Sequence, residues 1–196
     1  MNHRLHLKFE QLERATERLL ASAEDLGTDS AASPAPDKWS ATQMVHHLFF
    51  IESNIVQYIQ KKVHTDEQLP SVDFFTRLRA RFVRLILRLP SMQFKAPHGV
   101  TTLTDAGNLP ALPKLRRTWE ATRRRLDYLL NEYPGRLLNR VIFPHPRSGL
   151  ITIYQVMTYL LDHLLHHLLH HLLHHQQQVG RITKALRPVR AALPAG

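Results

Sequence analysis

Residues 163–175 read His-Leu-Leu-His-His-Leu-Leu-His-His-Leu-Leu-His-His, which puts seven of the chain's 14 histidines in one segment. Neutral imidazole is a common ligand for borderline transition metals, and histidines four apart stand about one turn from each other on one helix face. His163, His167, His171 and His175 form one such track, and His166, His170 and His174 form a second beside it. Each step of four residues drifts by roughly 40° around the axis, so one ion can use an adjacent pair but not a whole track. The plainer reading of such a segment is a low-complexity stretch that binds metals loosely or not at all. A third ligand from elsewhere in the chain separates the two readings, and His47 is the candidate. It falls on an apolar stripe with Met44, Leu48, Ile51, Ile55 and Ile59. Three protein nitrogens with an open fourth position describe a catalytic zinc-type site, and facing helices are where bundles build such centres.

The elements that would carry these histidines follow from periodicity and stop signals. A first helix is expected over about residues 3–26, with Leu5, Phe9, Leu12, Leu19 and Leu26 near helical spacing and Gly27 as its stop. Residues 28–38 form a polar, proline-bearing connection. Ser40-Ala41-Thr42-Gln43 reads as a capping box that starts a second helix reaching about His64. A shorter helix is expected over 72–89, ended by Pro90, then an ordered loop over 91–111 with Pro97, Gly99, Gly107 and Pro110. A third long helix spans about 112–132, using Leu115, Trp119, Leu126, Leu129 and Leu130 for the core. Residues 133–151 read as a loop, and Thr152-Ile153-Tyr154-Gln155 as a second capping box launching the histidine-bearing helix, which Pro188 stops. No strand alternation or nucleotide-binding glycine loop is apparent, so the expected fold is all-α. One domain over residues 1–196 is expected, with a flexible tail at about 188–196.

With no cysteine in the sequence, disulfides and thiolate metal sites are excluded, so any metal must use nitrogen and oxygen ligands. No apolar run reaches the roughly 20 residues of a membrane span. The start, Met1-Asn2-His3-Arg4-Leu5-His6, lacks the apolar core of a secretory signal, and a cytoplasmic location is expected. The net charge of +10 raises nucleic acid as a partner. The basic residues are nevertheless spread along the chain, and Arg77, Arg79, Arg81, Arg84 and Arg88 alternate with apolar residues as a solvated helix face does. No specific nucleic-acid partner and no membrane partner are expected. Glu52, five residues after His47, lies about 140° around the helix and reads as structural. His98 and His145 fall in expected loops and read as solvated residues, with lining the mouth of a site as the alternative. Tyr154 and Tyr159 read as helix-packing residues.

Several short motifs occur in an order that carries more information than any one of them. Trp39-Ser40 is followed by Met44-Val45-His46-His47-Leu48, then by Phe94-Lys95-Ala96-Pro97 and His145-Pro146-Arg147-Ser148-Gly149-Leu150-Ile151-Thr152, and finally by the histidine helix. This series resembles the DinB/YfiT-like superfamily over nearly the whole chain. The resemblance implies a four-helix bundle with up-down-down-up topology, here with an extra short helix and ordered loops, and a divalent metal held by three histidines. It also implies metal-dependent chemistry, with some members acting as thiol S-transferases and others assigned as hydrolases.

The chain departs from that pattern in having three overlapping His-x-x-His-His units in place of one. Counting from Thr152 selects His163 and His167; counting back from Gln178-Val179-Gly180-Arg181-Ile182 selects His171 and His175. The two registers differ by about 12 Å and 80° around the helix. The capped start, with Val156 and Leu160 packed behind it, favours His47, His163 and His167 as the ligand set. Zinc and nickel suit imidazole best, with iron and manganese as further candidates. The open position would take water or a thiol, whose pKa a cation lowers. The expected partner is a small molecule, for which the resemblance implies a low-molecular-weight thiol in the first instance, and a homodimer is compatible with the pattern. The alternative is a non-enzymatic, histidine-rich metal-binding or stress-related protein.

Overall fold

The computed structural model describes residues 1–33, 38–65, 69–71, 109–146 and 148–169. Helix α1 (His3–Glu24) opens with the Asn2 side chain accepting the Arg4 N–H, and buries Leu5, Leu12, Ala15, Leu19, Leu20 and Ala23 along one stripe. Gly27, at φ 55°, takes the left-handed conformation that a β-carbon disfavours, and a 3-10 turn over Gly27–Ala31 follows. Helix α2 (Ala41–Thr65) starts at the expected capping box: the Gln43 N–H donates to Ser40 Oγ at 3.1 Å, and the Ser40 N–H donates to Gln43 Oε1 at 2.7 Å. Helix α3 (Leu112–Asn131) has Pro113 in its first turn, where a missing N–H is harmless. Residues 153–169 form helix α4, entered through the second capping box, with the Thr152 N–H donating to Gln155 Oε1 at 2.8 Å.

The described chain is mostly helical but not strictly all-α. Strands β1 (Val141–His145) and β2 (Gly149–Thr152) form an antiparallel hairpin where a loop over 133–151 was expected. Two features hide these strands from a periodicity reading. An irregularity between Val141 and Phe143 lets Val141 and Ile142 both turn inward, which destroys the alternation, and Pro144 interrupts the run. Gly149, at φ 71°, supplies the left-handed residue at the turn.

One apolar core joins all four helices and the hairpin, with Trp119, Leu5, Leu12, Ile59, Leu126, Ile153, Met157 and Leu164 among its most enclosed members. Among α1, α2 and α3, the α2–α3 contact is the most extensive. These three helices are also pinned by a buried guanidinium. Arg123 on α3 donates to both carboxylate oxygens of Glu52 on α2, and to Glu13 and Thr16 on α1. The expected short helix over 72–89, most of the loop over 91–111 and the tail after 188 lie outside the described residues.

Candidate metal centre

Each helix that delivers a histidine begins at a capping box, and the spacing from cap to histidine aligns the two. His47 lies seven residues after Ser40, and His163 lies eleven after Thr152. Those separations are about two and three turns, so each histidine returns to the side of its own N-cap residue. Val45, Leu48, Val156, Met157, Leu160 and Leu164 are buried around them and fix the rotation of both helices. His167 follows His163 by one further turn.

The result is a three-nitrogen cluster. His47, His163 and His167 each offer a ring nitrogen, and these atoms lie within 4.8 Å of one another. His163 Nε2 and His167 Nε2 are 3.0 Å apart. Ring centroids are separated by 5.5 Å for His47–His163, 5.4 Å for His47–His167 and 4.8 Å for His163–His167. Around a tetrahedral cation with nitrogen ligands at 2.0–2.1 Å, ligand nitrogens would stand about 3.3 Å apart. The observed spread brackets that figure, so side-chain torsions alone could close the set.

Electrostatics favour the neutral form the ligands need. Burial pushes His47 down to about 4, helped by the neighbouring His46. Burial pushes His163 down to about 3, with smaller contributions from His47, His166 and His145. A neutral imidazole keeps a lone pair for a cation, whereas an imidazolium has none. His47 Nδ1 is buried with no hydrogen-bond partner among the described residues, a condition it shares with His46 Nδ1, Trp119 Nε1 and Tyr133 Oη. Only at His47 do two further imidazoles converge, so the donor set there fits a divalent ion held by nitrogen.

Aromatic rings enclose the cluster. Trp39 lies 4.7 Å from the His47 ring and stacks within 10° of the His167 plane at 6.3 Å. On the other side, Tyr159 stands 5.4 Å from His163, with His145 against it at 4.4 Å. His145 is thus a buried strand residue and not the solvated loop histidine expected, because the hairpin carries it inward. Trp39 was not anticipated as a neighbour of the site; its place next to the Ser40 cap, eight residues before His47, was the available signal. His46 faces Phe49 and Phe50, both at 6.5 Å, away from the cluster. Glu52 is engaged with Arg123, in keeping with a structural role. His98, His171 and His175 lie outside the described residues.

The family model of the DinB superfamily matches residues 11–179. The chain belongs to the DinB superfamily. No curated protein and no solved structure matches it. The matched span of this DinB-superfamily chain takes in His47 and both candidate pairs, His163 with His167 and His171 with His175, so the match alone does not choose between registers. Among the described residues, no helix is long and apolar enough to cross a membrane.

Proposed function

We propose that this chain is a metal-dependent enzyme of the transferase or hydrolase kind. In this reading His47, His163 and His167 hold one divalent cation, with zinc or nickel first and iron or manganese next. The observation that carries it is the convergence of three imidazole nitrogens from two helices within 4.8 Å. The reading includes a single domain whose four helices form an up-down-down-up bundle, working in the cytoplasm on a small molecule. Thiol transfer is the first reaction to test.

A divalent ion at this point supplies Lewis-acid chemistry that favours the deprotonated form of a nucleophile at neutral pH. The protein's part is to hold three neutral imidazoles in a fixed array and to limit water. Trp39 covers the His47 and His167 rings, while Tyr159 flanks His163. The buried apolar residues behind α2 and α4 hold the array in place, which lowers the reorganisation needed on binding.

Metal analysis of protein purified without an affinity tag provides the test. We expect about one zinc or nickel per chain in excess metal, as a specific site saturates, and loss of that ion in His47→Ala alone. A wild type that retains no tightly bound metal overturns the proposal. The repeated histidines of 163–175 support a second reading, a metal buffer. A buffer would bind several ions and lose capacity in small steps as single histidines are replaced.

A further inference from the structure

Helix α3 carries six basic residues, and the fold treats them in two ways. Arg116 is held by Glu17 and Glu24 of α1, and Arg123 by Glu52 and Glu13. Lys114, Arg117, Arg124 and Arg125 are exposed and make no ion pair or side-chain hydrogen bond among the described residues. At about 100° per residue, Lys114, Arg117, Ala121, Arg125 and Tyr128 fall within about 80° of the helix circumference, with Arg124 at the edge. The acids of the helix lie elsewhere. Glu120 and Asp127 line a groove against α1 together with Glu13 and Glu17, and the next acid on the basic side is Glu132, at the helix end.

A helix face that needs only to be wetted gains from interleaved acids, which form i, i+4 pairs and cancel repulsion between cations. On α3 the acids are drawn to one flank, and four like charges are left on the other without counter-charge. Among them stands Tyr128, 68% exposed, more than any other large apolar or aromatic side chain among the described residues. Its ring has no aromatic or cationic contact among those residues. The basic residues look scattered in the sequence, and folding brings these onto one face.

We propose that the outer face of α3 docks single-stranded nucleic acid without sequence preference. Lys114, Arg117, Arg124 and Arg125 meet phosphates, and a base stacks on Tyr128. From Lys114 to Tyr128 the helix rises about 21 Å, the length of about six phosphates at 3.4 Å each. Cations beside an open aromatic ring are the combination that holds an unpaired strand, since every base offers a stacking face. A duplex would meet the cations but keep its bases from Tyr128. An anionic membrane would also meet them, but interfacial helices set a row of leucine or phenylalanine beside their cations. This face offers only Thr118 and Ala121 with the one tyrosine. The proposal concerns a surface made by α3 and is independent of the metal reading.

Fluorescence anisotropy of the full chain with a labelled oligothymidylate of about 20 nucleotides, over a series of salt concentrations, tests it. We expect micromolar binding at low salt, with a logarithmic salt slope of about −3 or steeper for four phosphate contacts. Arg117→Gln with Arg125→Gln should make that slope shallower by about 1.4. Arg14→Gln with Arg18→Gln, exposed on α1, removes the same charge and should change the slope by less than about 0.5. Tyr128→Ala should bind about tenfold more weakly with an unchanged slope, and Tyr128→Phe should stay within about twofold of wild type.

Equal slope changes in the two double variants overturn the proposal in favour of net charge alone. An unaffected Tyr128→Ala, or a duplex of the same length bound as tightly as the single strand, removes the stacked base and overturns it too. Binding to phosphatidylserine vesicles but not to the oligonucleotide assigns the face to a membrane instead. No binding at low salt leaves it a solvated surface and overturns the proposal outright.

Discussion

Two buried polar clusters meet on helix α2, five residues apart, and they solve the same problem differently. At Glu52, the Arg123 guanidinium is satisfied from several directions: two bonds to Glu52, one to Glu13 at 2.8 Å and one to Thr16 Oγ1 at 2.6 Å. At His47, a buried ring nitrogen has no partner among the described residues, while two other imidazoles stand opposite it. Burying charge is tolerated when every donor and acceptor is engaged. Three imidazoles facing one another, with one buried ring nitrogen unsatisfied among the described residues, have different chemistry, since neutral ring nitrogens can turn their lone pairs to one cation. The first cluster locks three helices, and the second is suited to receive something.

The largest expected effect breaks the comparison at its second member. Replacing His163 or His167 by alanine should abolish tight metal binding, while His171→Ala and His175→Ala should leave it nearly intact. Removing one of three nitrogens leaves too few anchors for a borderline cation, so the loss should be all-or-none. Isothermal titration with zinc reads this directly. If only His171 and His175 matter, the ligand set belongs to the C-terminal register, and the convergence at His47 is packing.

The next effect concerns the first cluster. Arg123→Ala would strand a buried carboxylate, since the Glu52 side chain is only 3% exposed. Urea denaturation should show a loss of about 3–5 kcal/mol, the usual result of breaking a buried pair from one side. Replacing both members together, Arg123→Met with Glu52→Leu, should restore stability to within about 1 kcal/mol of wild type. Glu13 is partly solvated already and can turn to water. Metal stoichiometry should be unchanged in the double variant. A loss of the ion there would show that the two clusters are coupled, contrary to the division drawn between them.

The two clusters were also unequally legible in the sequence. His47 and the i, i+4 pair are readable because a histidine on an apolar stripe violates the hydrophobic pattern around it, and because both capping boxes mark where the phase of each helix is set. Arg123 gives a different sign. It stands four residues after Trp119 and three before Leu126, on the apolar stripe, whereas Arg124 and Arg125 fall off it and are exposed, but nothing local names the partner that its charge requires. Its burial depends on Glu52, 71 residues away in sequence, and on α1 beyond that. The hairpin was hidden for a local reason, since a bulge at Val141–Phe143 and a proline in β1 remove the alternation that announces a strand. With the hairpin unseen, the burial of His145 could not be read either.

The smallest effect tests whether helix phase, and not only helix presence, delivers the histidines. Ser40 and Thr152 each exchange hydrogen bonds with the residue three positions on, but with unequal geometry: the Gln43 N–H reaches Ser40 Oγ at 3.1 Å, while the Gln155 N–H reaches Thr152 Oγ1 only at 3.4 Å. Ser40→Ala should therefore cost about 1 kcal/mol and Thr152→Ala somewhat less, as loss of an N-cap side chain does. Equilibrium urea curves would resolve the difference. Neither change should alter zinc stoichiometry, because Val45 and Leu48 on α2, and Val156 and Leu160 on α4, remain buried and continue to hold the helices in rotation. If one alanine variant instead weakened zinc binding more than tenfold with no comparable loss of stability, the cap itself would be setting the direction of the histidine downstream. The second cluster would then depend on a single hydrogen bond at a helix start, whereas the first is spread over partners on three helices.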